Sequence, residues 1–212
     1  MNNLGYIIAL SGPSGIGKGF VKETIRRRYP GIAELTVVTT RTRRPSDGVD
    51  RETDVSLEKF LTQRDMGEII LAHQPFGAGR DWYGFRRSQI DQGLNRGNCM
   101  LTEIHPDNIG PFHELYPSSL FVFGFVAPEH YIRKNLQSRA TESPTEQERR
   151  IQQSIHEMNQ IYHWQDHGHI MRLFDFSNQN LRETVTSEMV HHINMLRGGL
   201  ELPKVRREQG DI

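Results

Sequence analysis

The 212-residue chain carries 26 Lys and Arg against 26 Asp and Glu, so its formal net charge is zero. That balance excludes the global basic field on which non-specific nucleic-acid binding relies, and any phosphate recognition must be local. Hydrophobic residues make up 35% and there is one cysteine, which describes a globular chain without an intramolecular disulfide.

In chain order the first predicted element is a strand over the apolar run Tyr6 to Leu10. No basic segment or cleavage site precedes it, so no secretory signal is expected and the cytoplasm is the default location. Directly after it come Gly12-Pro13-Ser14-Gly15-Ile16-Gly17-Lys18-Gly19 and then a helix-like segment. Strand, glycine spacing, lysine and helix together read as a phosphate-binding P-loop: backbone N–H groups wrap the phosphates, and Lys18 reaches them from a helix start whose dipole favours anions. Gly19 stands where a Ser or Thr hydroxyl usually meets Mg²⁺. Mg²⁺ is therefore expected to be held through ATP phosphates and water, with no protein ligand.

Phe20 to Tyr29 reads as a helix, closed by Arg26-Arg27-Arg28 as a dipole-matched, solvated end before Pro30-Gly31. A strand is expected over Leu35 to Thr40. It is followed by Arg41, Arg43 and Arg44, which either bind a second phosphate as forked donors or form a solvated loop. Next come a helix over 56–66, a strand over Glu68 to Leu71 and a glycine-containing turn over 74–81. A helix over 88–96 and a strand over 98–104 follow, and Pro106 to Pro117 reads as irregular or a short helix. Leu120 to Ala127 is a buried strand, far short of the roughly 20 residues of a membrane span. Pro128 opens a helix to about Ser138, Thr145 caps another, and 168–174 and 180–196 supply a last strand and helix. Cys99 reads as a small core residue. His156, His163, His167 and His169 have partly helical spacing but no clustered Cys or second acid, so no metal site is expected.

Ser11 to Lys18, Thr39-Thr40-Arg41 with Arg44, Tyr83-Gly84, and Arg139 with Glu148-Arg149-Arg150 occur in an order that resembles the guanylate kinase family, over about residues 5 to 197. The resemblance implies an α/β fold: a P-loop NTPase core with a parallel sheet flanked by helices, a small acceptor-binding subdomain and a mobile lid. It places one domain on the chain, with core 1–35, 97–138 and 151–197, acceptor-binding subdomain 36–96, lid 139–150 and a disordered tail from 198 to 212. The implied reaction moves the γ-phosphoryl of ATP, the co-substrate, to a nucleoside monophosphate. Arg41, Arg44 and Tyr83 match the residues that hold the acceptor's phosphate. Arg139 and Arg150 match the lid arginines that close on the transfer beside Lys18. A gapless comparison puts Glu103 at an acidic position near the Mg²⁺ waters and His105 at a guanine-reading Asp. The implied partners are ATP and a small phosphorylated acceptor, with no nucleic acid and no membrane; the oligomeric state stays open.

The departures are specific. Ser46-Asp47 replace the family's Gly-Glu, and Arg51 falls about where a Tyr belongs. Leu71 matches the guanine-reading Glu when Phe76-Gly77 is the anchor, and Leu173 replaces an Asn. Guanine offers N–H donors at N1 and N2 that acidic acceptors satisfy; Leu71 cannot accept, and His105 accepts only through one neutral nitrogen. Two alternatives therefore stand beside guanylate kinase activity. One is a kinase for another phosphorylated acceptor such as ribose 1,5-bisphosphate; the other is a non-catalytic binding module.

Overall fold

The computed structural model describes residues 5–43, 48, 50–75, 81–137, 144–176 and 181–197. In chain order its elements are β1 (Tyr6–Ser11), α1 (Lys18–Arg28), β2 (Ala33–Glu34), β3 (Val37–Thr39), β4 (Arg51–Glu52), α2 (Leu57–Asp65), β5 (Ile69–His73), β6 (Tyr83–Arg86) and α3 (Arg87–Asn95). They continue with β7 (Cys99–Ile104), a 3-10 turn at Pro106–Asn108, α4 (Ile109–Leu115), β8 (Leu120–Val126), α5 (Glu129–Gln137), α6 (Pro144–Asp166), β9 (Arg172–Asp175) and α7 (Leu181–Arg197).

Two sheets organise these elements. The first is a five-stranded parallel sheet in the order β2-β7-β1-β8-β9, flanked by helices. Ile7, Ile8, Ala9 and Leu10 of β1 are wholly buried, as a continuous apolar run in a parallel sheet requires. The second sheet has the order β4-β3-β6-β5. Within it β3 and β4 run parallel, while β6 is antiparallel to both β3 and β5.

The contacts divide the chain into two compact units, Met1–Ala9 with Ile32–Leu120, and Leu10–Gly31 with Phe121–Ile212. In the first, α2 opens at Ser56, whose Oγ accepts from the Lys59 amide at 3.2 Å. That helix seats Phe60 against Val38, Val55 and Ile69. Trp82 closes this cluster, its ring 5.9 Å from Phe60 and under the Arg64 guanidinium at 5.2 Å. Arg86 and Glu52, on the strands either side of β3, form a fork whose Nε–Oε2 arm is 2.7 Å. In the second unit, Phe123 and Phe125 of β8 stack on Phe174 of β9 at 6.1 and 5.6 Å. The Tyr29 hydroxyl, just past α1, donates to Asn194 Oδ1 of α7 at 2.8 Å.

Several expected elements are redrawn. The strand expected over Leu35 to Thr40 is confined to β3, with the separate β2 ending just before it: Leu35 N still donates to Leu101 O of the first sheet, Thr36 N turns to Gln89 Oε1, and Val37 N joins Asp50 O, just before β4 of the second. One extended segment thus serves both sheets. The last strand begins at Arg172 rather than 168, because Gly168 takes φ +71° and the amides of His167, Gly168 and His169 satisfy carbonyls at the end of α6. Cys99 is half-buried at the start of β7 rather than in the core. The expected tail and the turn residues 76–80 lie outside the described residues.

Candidate active site

The candidate site residues fall in both units. In the second unit β1 ends into Gly12 to Gly17, and the backbone there depends on glycine. Gly12 has φ +154°, and a Cβ on it would lie 2.5 Å from the Phe125 carbonyl oxygen. Gly17 is the N-cap of α1 in the left-handed region, at φ 109°, and brings no side-chain cap. The first amides of α1 therefore point out of the helix end, where the dipole is positive. Asn135 of α5 braces the loop by donating to Gly15 O at 3.0 Å. Lys18 folds back over the loop, its Nζ donating to Gly12 O at 2.6 Å and Pro13 O at 3.0 Å. Those are hydrogen bonds a phosphate oxygen can replace. Pro13, Ser14 and Ile16 lie in the same turn, and Ile16 is wholly buried. Gly19 is exposed, and a Cβ on it would meet nothing within 4 Å, so there is room for a hydrated ion and no side chain to bind it.

Arg150 lies in the same unit, half-buried on α6 beside the inward face formed by Ile151, Ser154, Glu157 and Ile161. Residues 144–150 of the expected lid form the first turns of this helix. Arg139 and Arg44 lie outside the described residues.

In the first unit β3 and β6 pair Thr39 with Tyr83, and Arg41 follows two residues past Thr39. Arg41 is 9% exposed, which distinguishes it from the exposed Arg43 and from a solvated loop. Its amide donates to Thr39 Oγ1 at 3.1 Å, and its Nη1 to Thr42 O at 2.8 Å. Tyr83 stands opposite His73 of β5, with ring centroids 5.9 Å apart. His73 in turn faces His105, at 5.1 Å. His105 caps the 3-10 turn by accepting from Asp107 N at 3.2 Å, with Asp107 Oδ2 at the same distance from Nδ1. Glu103 lies two residues before it, half-buried near the end of β7. The structure thus joins Tyr83 and His105 through His73. Leu71 contributes its backbone: it is buried at φ +55°, and its carbonyl accepts from Asn108 Nδ2 at 2.9 Å.

His73 and Asn108 are site neighbours that sequence reasoning missed. The usable signal was His73 itself, a polar residue breaking the apolar run Ile69 to Ala72. The histidines at the end of α6 assemble only locally: His163 and His167 are 4.1 Å apart, and His167 Nδ1 lies 2.7 Å from His163 O. Among the described residues no group of three or more His, Cys, Asp or Glu is set to hold a metal ion. No described helix is long and apolar enough to cross a membrane.

No family model matches the chain. Individual relatives do. A guanylate kinase of Rhodopirellula baltica is 26% identical over 186 residues, covering 86% of this chain and 84% of that protein. Another, of Symbiobacterium thermophilum, is 29% identical over 149 residues and 69% of each chain. A third, of Leifsonia xyli, is 28% identical over 151 residues; the match spans 69% of this chain but only 58% of that relative's length. Among solved structures, a guanylate kinase from Anaplasma phagocytophilum superposes with a TM-score of 0.65 at 20% identity, covering 96% of this chain and 88% of its own. The structural likeness shows the fold, and these sequence relatives carry one recurring name. The chain is a divergent relative of the guanylate kinases, similar to them in sequence at 26–29% identity and in fold.

Proposed function

We propose that this chain transfers the γ-phosphoryl of ATP to a phosphate oxygen of a nucleoside monophosphate, giving ADP and the diphosphate, with GMP or dGMP as the acceptors implied by its relatives' names. The observation that supports this best is Lys18 held over the glycine loop at the start of α1 by two carbonyls that phosphate oxygens can replace. The P–O bond to ADP breaks as the acceptor oxygen bonds to phosphorus. That oxygen is already anionic, so no general base is needed and catalysis is positioning and charge stabilisation.

In this reading the amides from Gly12 to Gly19 bind the ATP phosphates, with Lys18 supplying a point charge. Mg²⁺, when it arrives with ATP, neutralises phosphate charge, and the open space at Gly19 suits an ion bound through water. Arg41, Arg44 and Tyr83 orient the acceptor. Arg139 and Arg150 supply charge to the transferring group, with residues 139–150 acting as a lid over the core and 36–96 as the acceptor-binding subdomain. The single cysteine suits a reducing compartment and supports a cytoplasmic location.

A second reading is favoured by Leu71 and His105, which put no carboxylate where the family reads guanine. In it the acceptor is another phosphorylated compound such as ribose 1,5-bisphosphate. ADP formation from MgATP with GMP, dGMP, AMP, CMP, UMP, IMP and ribose 1,5-bisphosphate, with Lys18→Ala as control, tests both. Lys18-dependent turnover of GMP supports the first reading, and turnover of only another acceptor supports the second. No Lys18-dependent turnover with any of them sinks both in favour of a binding module.

A further inference from the structure

We infer that Asn135, near the end of α5, is a positioning residue for phosphate binding: it sets the direction of the Gly15–Ile16 peptide and so aims the Ile16 N–H at the ligand. This rests on the proposed kinase reading for the ligand, a nucleoside triphosphate, and adds to it a residue that acts only through the backbone of the loop.

Two neighbouring residues of α5 meet the loop at Gly15. Tyr131, Ile132 and Leu136 are the buried residues of the helix. Asn135 follows Ile132 by three positions and Tyr131 by four, so helical periodicity sets it on their face, a polar residue in an apolar stripe. There its Nδ2 donates to Gly15 O at 3.0 Å. Leu136, 1% exposed, packs beside that bond. A Cβ on Gly15 would lie 3.1 Å from Leu136 Cδ2 and 3.2 Å from its Cγ, and the residue stands at φ +82°, where side chains are unfavourable. Shape and conformation thus keep a glycine here, and the hydrogen bond fixes which way its carbonyl turns.

The carbonyl's direction decides where the next amide points. In a planar trans peptide the C=O of one residue and the N–H of the next face opposite ways. With Gly15 O turned to α5, the Ile16 N–H is turned away from it. Ile16 is wholly buried, and no described residue accepts from its amide or from that of Gly17 at hydrogen-bonding geometry. Buried amides are nearly always paired, so these two suit a ligand's oxygens. Gly15 and Gly17, at φ +82° and +109°, flank Ile16 and bend the chain into the kind of concavity whose successive N–H groups bind anions. A phosphate reaches them as Lys18 exchanges its bonds to Gly12 O and Pro13 O for phosphate oxygens. Half a turn of the Gly15–Ile16 peptide would offer that phosphate a carbonyl in place of an amide. Asn135 opposes the turn, because it would set the Asn135 Nδ2 against an N–H, donor against donor.

The test titrates the whole chain with MgATP by calorimetry and with inorganic tripolyphosphate in ¹⁵N spectra, so it needs no acceptor. In the parent the Ile16 amide resonance should move as tripolyphosphate binds. Asn135→Leu, which keeps the volume and loses the donor, should weaken MgATP binding about tenfold and diminish that movement. Asn135→Gln, which keeps an amide, should recover part of both. Asn135→Ser, too short to reach the Gly15 carbonyl, should lose as much as Asn135→Leu and reads the effect if the leucine variant does not fold. Tyr29→Phe removes a hydrogen bond to Asn194 within the same unit; it should lower the melting temperature and leave MgATP binding unchanged. Asn135→Leu and Asn135→Ser proteins that bind MgATP within about twofold of the parent, a loss that Tyr29→Phe reproduces, or an Ile16 amide that ignores tripolyphosphate in the parent would each overturn the inference. With any acceptor that is turned over, Asn135→Leu should raise the KM for ATP and leave that for the acceptor unchanged. Binding with these responses but no ADP from any acceptor sinks the kinase reading alone, and turnover in which the Asn135 variants match their parent sinks the inference alone.

Discussion

Two glycines of the P-loop differ sharply in what a side chain would meet, and the pair makes a direct test of the loop's geometry. Gly12→Ala places a Cβ 2.5 Å from the Phe125 backbone oxygen. An ordinary close C···O contact is about 3.3 Å, so the overlap is about 0.8 Å. A backbone oxygen in a central strand cannot swing away as a flexible side chain would. The residue also stands at φ +154°. Adding about 1–3 kcal/mol for the backbone region and a similar amount for local displacement gives a destabilisation of about 2–6 kcal/mol. Gly19→Ser meets nothing within 4 Å and lies inside α1. Replacing a helical glycine there should be neutral or stabilise by about 0.5 kcal/mol. Urea unfolding followed by circular dichroism reads both changes, and titration with MgATP reads the consequence for the loop. Gly12→Ala should lose stability and weaken ATP binding. Gly19→Ser should keep both, and strengthen Mg²⁺-dependent binding if its hydroxyl reaches the ion. A Gly12→Ala protein as stable as its parent, or a Gly19→Ser protein that unfolds easily, would refute the loop geometry.

Other expectations follow from single contacts. Lys18→Ala removes the charge over the loop, with the exchangeable contacts to the Gly12 and Pro13 carbonyls; turnover should fall by about 10²-fold or more with the unfolding midpoint changed far less than in Gly12→Ala, read by coupled ADP assay and thermal melt. Phe60→Ala empties a wholly buried site under α2 and should cost about 3–5 kcal/mol in urea unfolding. The Arg86 hydrogen bonds hold the Glu52 carboxyl below its ordinary range. Because the folded pKa is depressed, the stabilisation is present at neutral pH and is lost as pH falls below the usual carboxylate range. The pair is about a third exposed, so Glu52→Gln should cost only about 0.5–1 kcal/mol at pH 7 and flatten the acid limb of the stability curve. Burial, and then the hydrogen bond to Asp91, push the Tyr116 phenol above its ordinary range. In an ultraviolet titration one tyrosine should stay protonated after the exposed ones ionise, and Asp91→Asn should shift it down.

Much of this was legible in the residues because the signals were local. The glycine spacing, Lys18 and the apolar run before it announce strand, loop and helix together; Ser56 announces α2; Leu120 to Ala127 announces β8. What escaped depends on distant partners. β4 is two charged residues, Arg51 and Glu52, with no alternation to read, and it exists because Val37 and Val38 lie beside it. The split between β2 and β3 depends on the Gln89 side chain taking the Thr36 amide. At the candidate site, Lys18 and Tyr83 could be named from motifs. Asn108 could not, since an asparagine after Pro106-Asp107 reads as a turn until the Leu71 carbonyl and His73 ring are seen against it.

In β5, Ile70 pairs with Phe85 and His73 with Tyr83, so three steps along it match two along β6. That extra residue, a β-bulge, bears on how such a site changes over time. Substitutions alter a pocket one side chain at a time, and each must suit neighbours already in place. Adding or removing a single residue within a strand inverts the parity of everything beyond it, exchanging what faces a ligand for what faces the core in one event. Ile69 and Ala72 lie on the α2 side of the bulge, with Ile70 and His73 on the other. Comparing relatives by column alone would treat Leu71 as a failed replacement for a carboxylate. Counting strand length instead would ask which residue the changed parity delivered, and in this chain that residue is a histidine.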